Sequence, residues 1–448
     1  MAGPIVAIVD RDNDASLVVI ALKLDQIHKA RLIELAKKVP KNVPRPHIAD
    51  SVNVLVRKPL MDNANSPASP RHAPKPVTNQ PSSRAEEITV DYEYSFPISV
   101  HTKGIRTTNV RIERAKDARW GQNVHLEANL TSLSSTLHDR VHTKSTVNAE
   151  GECVLDIEVD WSIWDLGLTN AEIRIFLPIT EATHPGIRVD IPTGAIGVTM
   201  LGSTRLKHLD LTTAHGPAHL SDVSADTIKL TAHNGNITAH DITAKQVEIT
   251  GKAAWMDIDD VKAERLVATS SDAIISLKDI EATIVSATTT NARIGLGNVK
   301  ADTLTVSTTN GEVVSGNVYA AACDVKVTNG EIEGNWSPGK KLYLSTSDAK
   351  IKAQIFFGSD EQLEIVATSK NAPVQLDLPA SYTGGFSLET SGYYKAFIHT
   401  HTGIKEQPVL YFSQPDKKVG TIGDRTGKRN SVRIISEEAP VTINFGSL

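Results

Sequence analysis

The sequence predicts an all-β fold: a parallel β-solenoid, or single-stranded β-helix, with about 19 residues per coil and a cap region of β-strands before it. Three observations carry this. Chemistry repeats in columns nineteen residues apart between Leu209 and Ile351. Each repeat alternates apolar and polar residues. A small turn dipeptide returns once per repeat.

The columns come first. Val223, Ile242, Val261, Ile280, Val299 and Val318 form one. Leu209, Ile228, Val247, Leu266, Val285, Leu304, Cys323 and Leu342 form a second, and Leu211, Leu230 and Ile249 begin a third. Ala218, Ile237, Met256, Ile275, Ile294, Val313, Ile332 and Ile351 form a fourth. Pairs such as 228/230 and 304/306 alternate with polar residues, the period of a half-buried strand. Nineteen residues are too few for a helix pair with its turns. A chain that winds once per repeat rises about 4.8 Å per coil, so seven steps give a tube about 35 Å long. Right-handed winding is expected. Ala225, Ala244, Ala263, Ala282, Ala301 and Ala320 mark a narrowing of the tube.

The turn is next. His215-Gly216, Asn234-Gly235, Asn310-Gly311 and Asn329-Gly330 fall at one position of the repeat, with Asp272-Ala273, Asn291-Ala292 and Asp348-Ala349 between them. This is one corner repeated, where Asn, Asp and Gly are expected to supply left-handed backbone. A second polar file, Asp222, Asp241, Asp260, Asp279, Asn298 and Asn317, reads as a corner ladder that bonds to the backbone. The Gly-rich calcium-binding nonapeptide is absent.

The rest of the chain divides in order. Residues 1–57 are a poorly packed N-terminal arm, with short strands at Pro4–Val9 and Leu17–Leu22 and a basic helix at Gln26–Val39. Residues 58–87, with Pro59, Pro67, Pro70, Pro74, Pro76 and Pro81, form a Pro-rich disordered linker. Residues 88–200 are a β lead-in and cap region. Its irregular strands cover the open edges of the tube, with Trp161 and Trp164 packed over the end. Residues 201–448 are the solenoid, with irregular C-terminal coils after Ile351, a loop insertion at Ile355–Glu361, and a closing strand–corner–strand from Ser431 to Phe445.

Composition sets bounds. The chain has 448 residues, of which 40% are hydrophobic and only 5% aromatic, which suits a thin aliphatic tube. The formal net charge of -5 gives no general attraction to nucleic acid. Of the two cysteines, Cys323 falls in an interior column and Cys153 lies far from it, so no disulfide framework is indicated. No apolar run is long enough to span a membrane. Asp10, Asp12 and Asp14 interrupt the first segment, which does not read as a signal peptide. Sequons at Asn129, Asn236 and Asn335 matter only on a secretory route, and Asn236 should point outward.

The strand, Asn-Gly corner, strand pattern in Leu209–Gly216, Leu304–Gly311 and Val325–Ile332 resembles the putative-adhesin family of bacterial and fungal β-solenoid domains. The strand Ile173–Pro178 is similar to the strand that leads into that family's solenoid. The resemblance covers roughly 88–445. It implies a solenoid with no established catalytic site. Fungal relatives often carry a membrane helix ahead of the solenoid, and this chain shows none.

Candidate chemistry is sparse. His208, His215, His219, His233 and His240 are dense in sequence, but coil register puts 215 beside Asn234 and 219 beside Thr238, so no three ligands converge. His399 and His401 share a strand face without a third ligand. Asp257, Asp259 and Asp260 are the best carboxylate group for a polysaccharide-active β-helix enzyme. The Thr file from Thr212 to Ser307 lacks the second rank of an ice-binding face and reads as strand surface. No nucleophile elbow, Walker loop or zinc pattern occurs. The sequence therefore assigns no catalytic, cofactor-binding or metal residues. It reads as a non-enzymatic, adhesin-like scaffold that binds a protein or surface partner and no nucleic acid. A solenoid that polymerises end to end and a carbohydrate-active enzyme are the alternatives.

Overall fold

The structure is a computed structural model. It describes residues 6–9, 18–21 and 52–53 and, with short breaks, residues 85–446. The described residues form an all-β parallel solenoid with about nineteen residues per coil. Gln26–Val39, Trp161 and Trp164, and all but the last residues of the Pro-rich stretch lie outside them. Val6–Val9 and Val18–Ala21 are strands, within the two apolar runs that predict them, and the structure pairs them antiparallel.

A central coil, Ile237–Gly251, shows how sequence becomes shape. Its strand pairs in parallel with the coils before and after it, but the pairing skips Asp241 and Lys245. Those two breaks and the turn after Gly251 divide each coil into three short walls. The first wall is 237–240, the second 242–244 and the third 247–251. Inward residues of all three walls stack in columns. Val261, Ile275, Leu266 and Ala268 are fully buried, and the columns above and below them are equally closed. A further column, Leu220, Ala239, Ile258, Leu277 and Leu296, completes the first wall.

The corners depart from expectation in an instructive way. Left-handed backbone belongs to the Asp file, where Asp222, Asp241, Asp260 and Asp279 have φ of 55°, 54°, 48° and 48°. Asp tolerates that conformation better than most side chains do, which accounts for the file. Asn298 and Asn317 instead pair with each other in the ladder. At the Asn-Gly corner, by contrast, glycine is needed for closeness. A Cβ on Gly311 would lie 1.7 Å from the carbonyl oxygen of Ala292 in the preceding coil. The Asn side chains there form an amide ladder: Asn291 donates to Asp272 (2.6 Å), Asn310 to Asn291 (2.7 Å) and Asn329 to Asn310 (2.7 Å).

A buried hydroxyl file fastens the same corner from inside. Ser270, Thr289, Thr308, Thr346, Ser369 and Ser436 are buried. Thr308 donates to the Ala292 carbonyl (3.2 Å) and accepts from the Gly311 amide (3.1 Å). Ser270 accepts from the Ala273 amide (3.0 Å), and Ser436 donates to the Ala372 carbonyl (3.0 Å). Each hydroxyl satisfies backbone groups that the turn takes out of the ladder.

Both ends are threaded out of chain order. On the third wall, Thr183–Thr193 pairs with Ile98–Lys103, and that strand pairs with the later Cys153–Val159. On the first wall, Ile196–Thr199 pairs with Thr107–Arg114, and that strand with Asn170–Leu177. Parallel winding thus begins at Ile98, well before the nineteen-residue register does. Antiparallel strands Ala85–Glu93, Asn123–Ser132 and Val141–Val147 cover this end.

At the other end, the last strands of the chain, Asn430–Ser436 and Val441–Phe445, slide beneath Gly384–Thr390 and Ala396–Thr400. The corners stack accordingly. Asn371 donates to Asp348 (2.5 Å), and the Glu438 amide donates to the Lys370 carbonyl (2.8 Å). Phe445, fully buried, lies 5.7 Å from Tyr382 and 5.5 Å from Phe386, ring centre to ring centre, and plugs the tube. A hairpin of Val409–Ser413 and Lys417–Ile422 lies outermost.

Candidate functional site

The polar groups singled out in the sequence fall mainly on the first wall, between coils 218–222 and 275–279. Outward residues there alternate with the buried ones. His219, His240, Asp257, Asp259 and Lys278 therefore share one face across four coils.

The histidine register holds. His215 Nδ1 lies 3.1 Å from Asn234 Nδ2, and His219 Nδ1 lies 2.8 Å from Thr238 Oγ1. A diagonal contact escaped the column arithmetic. His219 and His240 sit 6.2 Å apart between ring centres, and His240 Nδ1 lies 3.9 Å from Asp259. Partial burial, then the neighbouring His240, hold His219 below the ordinary histidine range. His208 and His233 are exposed elsewhere. His399 stacks on Phe397 (6.2 Å between centres, planes 10° apart), and the His401 amide donates to the Phe445 carbonyl. Among the described residues no three His, Cys, Asp or Glu side chains are grouped as metal ligands.

The three carboxylates divide. Asp257 accepts a hydrogen bond from Lys278 Nζ at 3.0 Å, and that bond raises the Lys278 pKa. Asp259 faces His240. Asp260 stands at the left-handed corner, exposed. One strand thus supplies all three; Asp257 forms an ion pair with Lys278 on one adjacent coil and Asp259 faces His240 on the other.

Beside this face runs a ridge that the sequence analysis missed. Its column is Asn236, Trp255, Ile274, Arg293, Glu312, Glu331 and Lys350, at the corner leading into the first wall. The Ile237 amide donates to the Trp255 carbonyl and the Met256 amide to the Ile274 carbonyl, so the two apolar residues sit on successive coils. Trp255 is 52% exposed and Ile274 46%. Charge pairs Arg293–Glu312 (3.3 Å) and Lys350–Glu331 (2.9 Å) continue the column. The available signal was the break in the corner motif at Lys252-Ala253-Ala254, with a large aromatic following. Asn236, the exposed sequon residue, lies one coil from Trp255, while Asn129 and Asn335 are half-buried.

The second wall carries an open groove of about 440 Å³ lined by Lys262, Asp279, Ile280, Glu281, Asn298, Lys300 and Tyr319. Lys300 and Glu281 pair across it at 2.9 Å, and each shifts the other toward its charged form. Cys323 and Cys153 are buried, and burial pushes the Cys323 thiol far up. No helix among the described residues is long and apolar enough to cross a membrane.

Comparison with known proteins gives the following. The family Toastrack DUF4097 matches residues 98–291 and 264–400. Among solved structures, a putative cell adhesion protein from Clostridium sporogenes is 7% identical. The match covers 81% of this chain and all of that one, with a TM-score of 0.15. A putative adhesin from Bacteroides fragilis is 12% identical over 80% of this chain and 96% of its own, with a TM-score of 0.23. No curated protein sequence matches.

Proposed function

Because the chain belongs to the Toastrack DUF4097 family, a family of β-solenoids, we propose that it works as a non-enzymatic, adhesin-like scaffold engaging a protein or surface partner. The observation that carries this reading is the Trp255–Ile274 ridge. A large aromatic and an aliphatic residue stand half exposed on a rigid corner, rimmed by charge pairs and the polar first wall. Exposed Trp ringed by polar groups is the residue type and setting of an interface hot spot. The stacked coils fix its position, so little order is lost on binding. We also propose that residues 1–57 form an arm, 58–87 a linker, 88–200 the lead-in and cap and 201–448 the solenoid, with limited proteolysis cutting within 1–87 as the mark of the first two.

The test is a binding panel of immobilised polysaccharides and surface proteins, probed with the full chain. Binding should weaken at least about 30-fold when Trp255→Ala and Ile274→Ala are combined, the size of a 2 kcal/mol hot spot. The melting temperature should stay unchanged, since both side chains are half exposed. Equal binding by the double variant would overturn the reading. So would release of reducing sugar that disappears when Asp257, Asp259 and Asp260 are changed to alanine.

A further inference from the structure

Asn-Gly occurs three times in the chain, at Asn234-Gly235, Asn310-Gly311 and Asn329-Gly330, and all three asparagines are exposed at the same corner. In such a pair the glycine amide nitrogen can attack the asparagine side-chain carbonyl, because no Cβ on the following residue obstructs the approach. The solenoid holds the three pairs differently. The Gly311 amide donates to the buried Thr308 hydroxyl at 3.1 Å, as the Ala273 amide does to Ser270 and the Ala372 amide to Ser369. Three residues before Gly235 stands Ala232, and three before Gly330 stands Val327, both buried and without a hydroxyl. Among the described residues neither the Gly235 amide nor the Gly330 amide donates a hydrogen bond. The side chains differ as well. Asn310 and Asn329 give their nitrogens to the amide ladder, each at 2.7 Å. Asn234 Nδ2 instead lies 3.1 Å from His215 Nδ1, with the Ala214 carbonyl at 3.4 Å.

We propose that Asn234 is a site of spontaneous deamidation, with His215 as proton donor to the leaving nitrogen, and that the Thr308 hydroxyl shields Asn310 from the same reaction. The Gly235 nitrogen loses its proton to water and bonds to Asn234 Cγ. Nδ2 is then an amine nitrogen, basic and within proton-transfer distance of the imidazole, which protonates it. The Cγ–Nδ2 bond breaks, ammonia leaves, and a cyclic succinimide joins residues 234 and 235. His215 recovers its proton from water, so the imidazole is unchanged. One water opens the ring at either carbonyl and leaves aspartate or isoaspartate, with no change of oxidation state. At Asn310 the bond from the Gly311 amide to Thr308 has to be given up before the nitrogen attacks. Asn329 falls between the two, with a free glycine amide but no proton donor at its own nitrogen. Isoaspartate adds one carbon to the backbone. At this corner a Cβ on Gly235 would already lie 1.9 Å from the Gly216 carbonyl oxygen, so the longer link displaces the coil. The modified corner leads into Asn236, one coil from Trp255.

The inference does not depend on the Trp255 ridge, because it is read by mass rather than by binding. The full chain is aged at neutral pH, and the peptides that span each Asn-Gly pair are followed by mass spectrometry, which reads the gain of one mass unit and separates aspartate from isoaspartate. The expected order is Asn234 fastest, then Asn329, with Asn310 behind Asn234 by at least about fivefold, the worth of one hydrogen bond. In concentrated urea the three rates should nearly coincide, since only the fold distinguishes the pairs. Ala232→Thr places a hydroxyl where Thr213 and Thr308 carry one, and should slow Asn234 about fivefold while Asn329, in the same chain, is unchanged. His215→Gln keeps an exposed side chain that bonds Asn234 but passes no proton, and should slow Asn234 at least about fivefold. Asn310 as fast as Asn234 in the folded chain, the same order in urea, or an Asn234 rate indifferent to either variant overturns the proposal. Should Ala232→Thr fail to fold, Thr308→Val runs the test in reverse. Asn310 should then speed up relative to Asn329 in the same chain, and an unchanged ratio overturns the proposal.

Discussion

Val261→Asp tests the stacked-column architecture directly. Val261 is fully buried and pairs with Ile242 in the preceding coil and Ile280 in the following one, both closed to solvent. Removing the valine forfeits about 2 kcal/mol of burial. A carboxylate in that column has no partner, so it stays protonated in the fold at pH 7. Holding a group of ordinary pKa near 3.9 neutral at pH 7 costs about 4 kcal/mol, at 1.36 kcal/mol per pH unit. The total, about 6 kcal/mol, equals a large part of a typical domain's stability.

The charge part depends on pH with a known sign. A folded pKa raised above the unfolded value penalises the fold above pH 3.9, and that penalty fades as pH falls. Urea unfolding at pH 7 and pH 4.5, each against the parent, should therefore show the destabilisation shrinking by about 3 kcal/mol at the lower pH. Val261→Ala should cost about 2 kcal/mol at either pH. A variant that unfolds like its parent, or a deficit indifferent to pH, would mean that residue 261 does not face the interior.

Three other outcomes follow from the corners and from one buried base. Gly311→Ala must displace backbone, since its Cβ meets the Ala292 carbonyl, and should cost about 3 kcal/mol in urea unfolding, whereas Ala273→Gly at the same corner position should cost under about 1 kcal/mol. Asp260→Gly should be neutral or stabilise by up to about 1 kcal/mol, and Asp260→Val should destabilise by about 1–2 kcal/mol, because φ is 48° there; a rise in the parent's melting temperature with added calcium would instead favour a cation row. His184 is buried, and burial lowers its pKa to about 4. The unfolded chain takes up this proton from pH 6.5 downward and the folded chain only near pH 4, so stability held above pH 6.5 falls by about 3 kcal/mol between those values. His184→Asn keeps an acceptor for the Gly186 amide, 3.1 Å from His184 Nδ1, and should flatten that slope when unfolding is followed from pH 7 to pH 4.

The solenoid was legible because its physics is local and repeated. A column such as Val223 to Val318 needs no knowledge of partners, since each coil's neighbour is the next nineteen residues. The Asn-Gly corner was legible in place but not in cause. Composition pointed to left-handed backbone, whereas the carbonyl of the coil beneath decides the glycine. The hydroxyl file at 270, 289 and 308 hid among ordinary strand Thr, because its role lies in bonds to an adjacent turn. The ridge at Trp255 and Ile274 was equally hidden: two apolar residues nineteen apart look like core until the corner turns them outward.

The sequence by itself determined the architecture, the inward columns and the polar register that keeps His215 beside Asn234. Those follow from a fixed period acting on near neighbours. Only the tertiary structure decided how the ends close. Chain order could not reveal that Asn430–Ser436 slides beneath Gly384–Thr390, or that Ile98–Lys103 lies inside Cys153–Val159, because the register is lost there and each pairing joins strands that have three other strands between them in sequence. The same closure leaves Val409–Ser413 outermost, with every residue of that strand exposed.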